Sequence, residues 1–189
     1  MECDCGTVDA EGECELTPGR VRAEEVEEAV MNESELKQNI DEAEKGPQRL
    51  AAAVSQLPVN TLRYTPIPGK WSILQILGHL ADVEIVYSYR LRQMLADKNP
   101  VIAPIDQDDW AQSLGYLESS PAELVAQFGL NRHHNLRLLR RLKPADLSRG
   151  ARHPELDRPM TVEDLVKRFV SHDANHLKQI EELKRKSRS

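Results

Sequence analysis

The body of this chain has no cysteine. All three cysteines, Cys3, Cys5 and Cys14, fall within the first 14 residues. The remainder therefore cannot be cross-linked by disulfides and has no thiolate nucleophile of its own. Their odd number and C-x-C spacing do not suit a zinc ribbon or finger, so they are read as reduced thiols in a tail. Long apolar runs are also missing. No stretch approaches the roughly 20 apolar residues of a membrane span, and the opening MECDCGTVDAEGECEL is acidic, without the apolar segment of a secretory signal. These gaps lead to the expectation of a cytoplasmic protein with no membrane partner. No segment alternates polar and apolar residues over a useful length, which leaves little room for strands. No repeat is visible, which argues against a solenoid.

What is present is 189 residues, 40% apolar and 30% charged, enough for one domain with a real core. The net charge of -6 is unevenly spread. Residues 1–45 hold 15 acids and 4 bases, a net of -11, which leaves 16 acids and 21 bases, a net of +5, for residues 46–189. An acidic tail on a mildly basic body argues against nucleic acid as a partner and leaves room for a small anionic ligand on the body. Residues 1–32 read as an acidic extension expected to be disordered, with few large apolar side chains. The folded domain is expected over 33–189.

Helical periodicity fills that domain. NESELKQNI begins a first helix near Glu33 that reaches about Gln56, with Gly46 and Pro47 expected to kink or interrupt it. A second opens near Ser72 and carries Ile73, Ile76, Leu77, Leu80, Glu84, Tyr87, Leu91 and Met94 along one side. A third starts at Ser120, with Pro121 in the first turn and Glu123 at the capping position, and stops before Pro144. A fourth starts at Thr161, paired with Asp164, and runs to about Lys184. The expected fold is all-α, an antiparallel four-helix bundle.

The fourth helix carries an anomaly. At 100° per residue, His172 and His176 of SHDANH fall within the apolar stripe of Val162, Leu165, Phe169 and Ile180, and so does Asp173. Buried polar groups without partners cost about 1–3 kcal/mol each, so something must satisfy these. Two core histidines bonded to backbone or water would do so. So would a metal, because imidazoles at i and i+4 can reach one ion. A third ligand would have to come from another helix, and His79, on the flank of the second helix, is the best placed. His133 and His134 point to solvent, and His153 lies in a loop that could close over a site. On the third helix Arg132 and Asn135 share the inner face. Arg132 either pairs with a buried acid such as Glu84 or snorkels outward, or else it holds an anionic ligand. Asp173 is either a bonded core aspartate or the residue that orients a ligand histidine or a water.

Four ordered blocks carry a family resemblance. They are PIPGKWSILQILGHLADVEIVYSYRLRQML, IDQDDWAQSLGYLESSPAELVAQF, HPELDRPMTVEDLV and SHDANHLKQI. Together, over about residues 35–183, they resemble the DinB-like superfamily in its YfiT-like branch of metal-dependent hydrolases. The resemblance implies a four-helix bundle, a divalent ion (zinc or nickel first) held by His79, His172 and His176, and homodimers. It also implies a metal-dependent enzyme acting on a small-molecule substrate, either a hydrolase or an S-transferase using a low-molecular-weight thiol of the bacillithiol type. The block with Asp106, Asp109 and Trp110 would lie near the site entrance, with Trp110 toward the cofactor; from its place on the inner helix face, Arg132 is expected to hold a carboxylate of the thiol and, with Asp173, to serve the chemistry. HDANH differs from the H-E-x-x-H of metalloproteases in having Asp173 where those enzymes have their glutamate base. The competing expectation is a metal-binding or stress-response bundle without turnover.

Overall fold

The protein is described here from a computed structural model, which covers residues 30–187. The cysteines and nearly all of the acidic extension lie outside those residues. Six α-helices are present among them: α1 (Glu33–Val54), α2 (Val59–Arg63), α3 (Ile73–Ala96), α4 (Gln107–Ser113), α5 (Pro121–Leu139) and α6 (Val162–Lys186). The four long ones form the bundle.

Three of the long helices begin with a reciprocal cap. Asn32 and Glu35, Ser72 and Gln75, and Thr161 and Asp164 each exchange side-chain and backbone hydrogen bonds at the starts of α1, α3 and α6. The start of α5 differs from expectation. Ser120 stands at the cap position but makes no side-chain bond there, and Pro121 in the first turn has no N–H to satisfy. The first donors of α6 are also met by the preceding loop, Val162 N bonding Arg149 O at 2.8 Å and Glu163 N bonding Leu147 O at 3.1 Å. A short antiparallel pairing of β1 (Gly150–Ala151) with β2 (Met160–Thr161) leads into that start. Two-residue strands are too brief to leave an alternating pattern in the sequence.

α1 packs on α5 and α6, and α3 packs on the same two helices. Helices consecutive in the chain, α1 with α3 and α5 with α6, therefore face each other diagonally across the bundle. The core shows their directions. One apolar cluster joins the first halves of α1 and α6 (Leu36, Ile40, Val162, Phe169) to the second halves of α3 and α5 (Leu91, Met94, Leu136, Leu139). The other joins Leu50 and Ile180, late in α1 and α6, to Ile73, Leu77, Leu124 and Phe128, early in α3 and α5. So α1 runs parallel to α6 and α3 parallel to α5, while the α1/α5 and α3/α6 contacts are antiparallel. The expected four-helix bundle is present, with two parallel sides.

A polar layer separates the two clusters. Arg132, 1% exposed, lies between Glu84 of α3 and Asp173 of α6. α1 is adapted to this layer at the Gly46–Pro47 pair, where it continues without a break. Pro47 lacks an N–H, which frees the carbonyl of Ala43 one turn earlier, and Arg132 Nη1 donates to that carbonyl at 2.7 Å. Gly46 leaves the space that Asp173 and Arg132 occupy. The dipeptide is expected to kink or interrupt the helix, and no interruption is found. In the structure it is a notch that seats a buried ion pair. Gly78 has a similar role on α3, where any Cβ would meet the ring of Tyr116, whose hydroxyl donates to Asp82 at 2.7 Å.

Candidate metal centre

His79 sits early in α3, and His172 and His176 sit one turn apart on α6. The antiparallel α3/α6 contact brings the three rings together. His172 Nε2 lies 3.0 Å from His79 Nε2 and 3.1 Å from His176 Nε2, and one nitrogen from each ring falls within 4.8 Å of the others. Neutral imidazoles cannot fully satisfy such a cluster. A single N–H at the centre can at best be shared between two acceptors. One cation would satisfy all three lone pairs, since nitrogens about 2.1 Å from one ion lie about 3.0–3.4 Å apart. The residues therefore fit a divalent metal.

The environment keeps these rings in the ligand form. Burial, with the neighbouring His176, pushes His79 down to about 3. Burial and then the other two histidines push His172 down to about 2, and burial also lowers His176. All three are neutral near pH 7, as metal binding requires. Around them, Tyr87 meets His172 edge-on with ring centres 5.9 Å apart. Trp71 lies 4.8 Å from His79 and stacks parallel to His176 at 6.4 Å. The indole N–H donates to Asp108 of α4 at 2.9 Å, fixing its plane. A cavity of about 500 Å³ opens beside His176, walled by Trp71, Ile67, Ile76 and Leu183, with Lys70, Lys186, Asp108 and Glu182 among its polar lining. Among the described residues, no helix is long and apolar enough to cross a membrane.

Three expected site residues sit elsewhere. Arg132 uses all five of its N–H groups internally. Nε donates to Glu84 at 3.0 Å, Nη2 to Glu84 at 2.6 Å and to Asp173 at 2.9 Å, and Nη1 to Asp173 and to Ala43 O, both at 2.7 Å. The rings of Phe128 and Phe169 lie 4.8 and 5.2 Å from its guanidinium carbon. No donor remains for an anionic ligand, so pairing with a buried acid is the arrangement found. Asp173 is correspondingly a bonded core aspartate rather than a partner of a ligand ring. Burial pushes both Glu84 and Asp173 up, and Arg132 pulls them back. Trp110 is half-buried on α4 and is not part of the cavity wall; the tryptophan there is Trp71. His133 and His134 are exposed, as expected. His153 is buried in its loop, where its Nδ1 accepts from Glu155 N, and is not part of the triad.

Comparison with known proteins gives the same picture. The sequence pattern of the DinB superfamily spans residues 42–180. The chain belongs to the DinB superfamily. A protein of Oceanobacillus iheyensis named "Putative metal-dependent hydrolase" is 30% identical over 145 residues, 76% of this chain and 83% of that one. YfiT of Bacillus subtilis, with the same description, is 27% identical over 143 residues, 76% of this chain and 80% of its own. The solved structure of YfiT aligns with a TM-score of 0.78 at 26% identity, covering 82% of this chain and 89% of that one. It is described as a probable metal-dependent hydrolase with an unusual four-helix bundle topology.

Sequence reasoning missed Trp71, Gln179 and the two lysines of the cavity. Trp71 immediately precedes the Ser72 cap, a position that periodicity does not reach. Gln179 could have been found, because it stands three residues after His176 and so on the same helix face.

Proposed function

We propose that this protein is a metal-dependent enzyme acting on small molecules, with His79, His172 and His176 holding one divalent cation, zinc or nickel, and hydrolysis as its reaction class. The observation that carries the reading is the convergence of three neutral imidazole nitrogens beside an open cavity. When bound, such a cation supplies Lewis acidity, polarising an electrophile or lowering the pKa of a water or thiol. The chain's own residues do the rest. Burial keeps the rings unprotonated. Trp71, Ile67 and Leu183 exclude water from one side of the cavity and offer an apolar wall to a substrate. The Trp71–Asp108 bond holds that wall in place.

Thiol transfer is a second reading, favoured by Lys70 and Lys186 at the cavity. They offer the cations for a thiol cofactor's carboxylates that Arg132 cannot. Metal-loaded protein should be assayed against ester and amide panels, and against low-molecular-weight thiols with an electrophilic dye. Ester or amide turnover that disappears in His176→Ala supports hydrolysis. Turnover with one thiol, with KM raised in Lys70→Ala or Lys186→Ala, supports transfer. Full metal loading without turnover in either assay favours a metal-binding bundle that is not an enzyme.

A further inference from the structure

The three rings face one another through Nε2, and on His176 the second nitrogen has a side-chain partner. His176 Nδ1 lies 2.8 Å from Oε1 of Gln179. An amide oxygen can only accept, so this contact is a hydrogen bond only with the proton on Nδ1 and the lone pair on Nε2. That lone pair is on the side facing His172 and His79. The i, i+3 spacing on α6 makes the contact local, so it depends on no other element. Gln179 also belongs to the cavity wall beside His176.

We propose that Gln179 is a positioning residue for the metal centre: its side-chain oxygen selects the Nδ1–H tautomer of His176 and so presents Nε2 to the ion. The inference rests on the reading of the triad as a metal site. Partners of this kind raise ligand basicity and fix ring orientation, and their loss typically costs about 10–100-fold in metal affinity. Gln179 is exposed, so water can replace part of its effect, and the lower end of that range, about tenfold, is expected.

Two readouts test this. The first is long-range 15N–1H correlation of the histidine rings in metal-free protein. Wild type should show His176 protonated at Nδ1 and not at Nε2, and Gln179→Leu should shift it toward the Nε2–H form. The second is zinc affinity by competition with a chromophoric chelator. Gln179→Leu should bind about tenfold more weakly, and Gln179→Glu, which keeps an acceptor, should restore both the tautomer and the affinity. The exposed position lets both variants fold, and circular dichroism checks that they do. The proposal is overturned if Gln179→Leu keeps the wild-type tautomer and affinity, or if Gln179→Glu fails to restore them. Failure of wild type to bind zinc would instead count against the metal site, while the tautomer measurement on metal-free protein would still decide the role of Gln179.

Discussion

A methyl group at position 46 would sit 2.3 Å from Asp173 Oδ2 and 2.7 Å from Arg132 Nη1. Intrinsic propensity says that Gly→Ala inside a helix gains about 1 kcal/mol. Here the sign should reverse, because the ion pair must move and breaking a buried pair costs about 3–5 kcal/mol. Gly46→Ala is expected to lose about 3 kcal/mol in urea denaturation; a gain in stability would show that the notch is not filled as described. The histidines make a second prediction at this scale. His79→Ala, His172→Ala and His176→Ala should each abolish tight zinc binding, and the exposed His133→Ala should leave it unchanged, as read by the metal content of dialysed protein. The face of His172 and His176 was legible because 100° per residue places them in the apolar stripe. For Arg132 the sequence offered the Glu84 pairing beside other readings but could not choose, because the choice depends on Asp173 and on a carbonyl freed by Pro47 on other helices, which no pattern local to α5 encodes.

Among the elements, α6 depends on its first turn. Asp164 returns the Thr161 cap and is also gripped by Arg158, at 2.6 and 2.9 Å. The bond to Arg158 holds its carboxyl well below the usual aspartate range, with the Thr161 bonds adding to it against the effect of burial. A depressed folded-state pKa gives stability that is present above the unfolded value and lost as pH falls through the folded one. Asp164→Asn should therefore be destabilising by about 1 kcal/mol at pH 7, the scale of a lost cap. Its deficit should shrink as pH drops below about 4, the ordinary aspartate value. Thermal melts of both proteins from pH 7 to 2 check this; a deficit that is flat with pH would mean that the charge is not used. The Thr161 cap was readable because capping is a local, four-residue event, and the same exchange is found at Asn32 and Ser72. Ser120 was a cap by composition but makes no such bond.

For the whole molecule, the topology makes the site. Because α3 and α6 are adjacent and antiparallel, a residue nearly two turns into α3 meets residues near the middle of α6. The number and length of the four long helices were visible from periodicity, while the five-residue α2 (Val59–Arg63) was not, and neither was which helices are neighbours. The parallel α1/α6 and α3/α5 sides follow from long connections that cross the bundle, whose sequences read as proline-rich or polar links with a short helix around Trp110, found as α4. A ligand that binds the folded state alone stabilises it by about 2.7 kcal/mol at a hundredfold excess over Kd. Zinc should therefore raise the melting temperature of wild type and leave that of His172→Ala unmoved. The most direct measurement is X-ray absorption at the zinc edge on protein loaded with one equivalent of zinc. Three imidazole nitrogens at about 2.0–2.1 Å, dropping to two in His79→Ala, are expected. A shell with fewer than three imidazoles in wild type, or one unchanged by that substitution, would contradict a centre shared between α3 and α6.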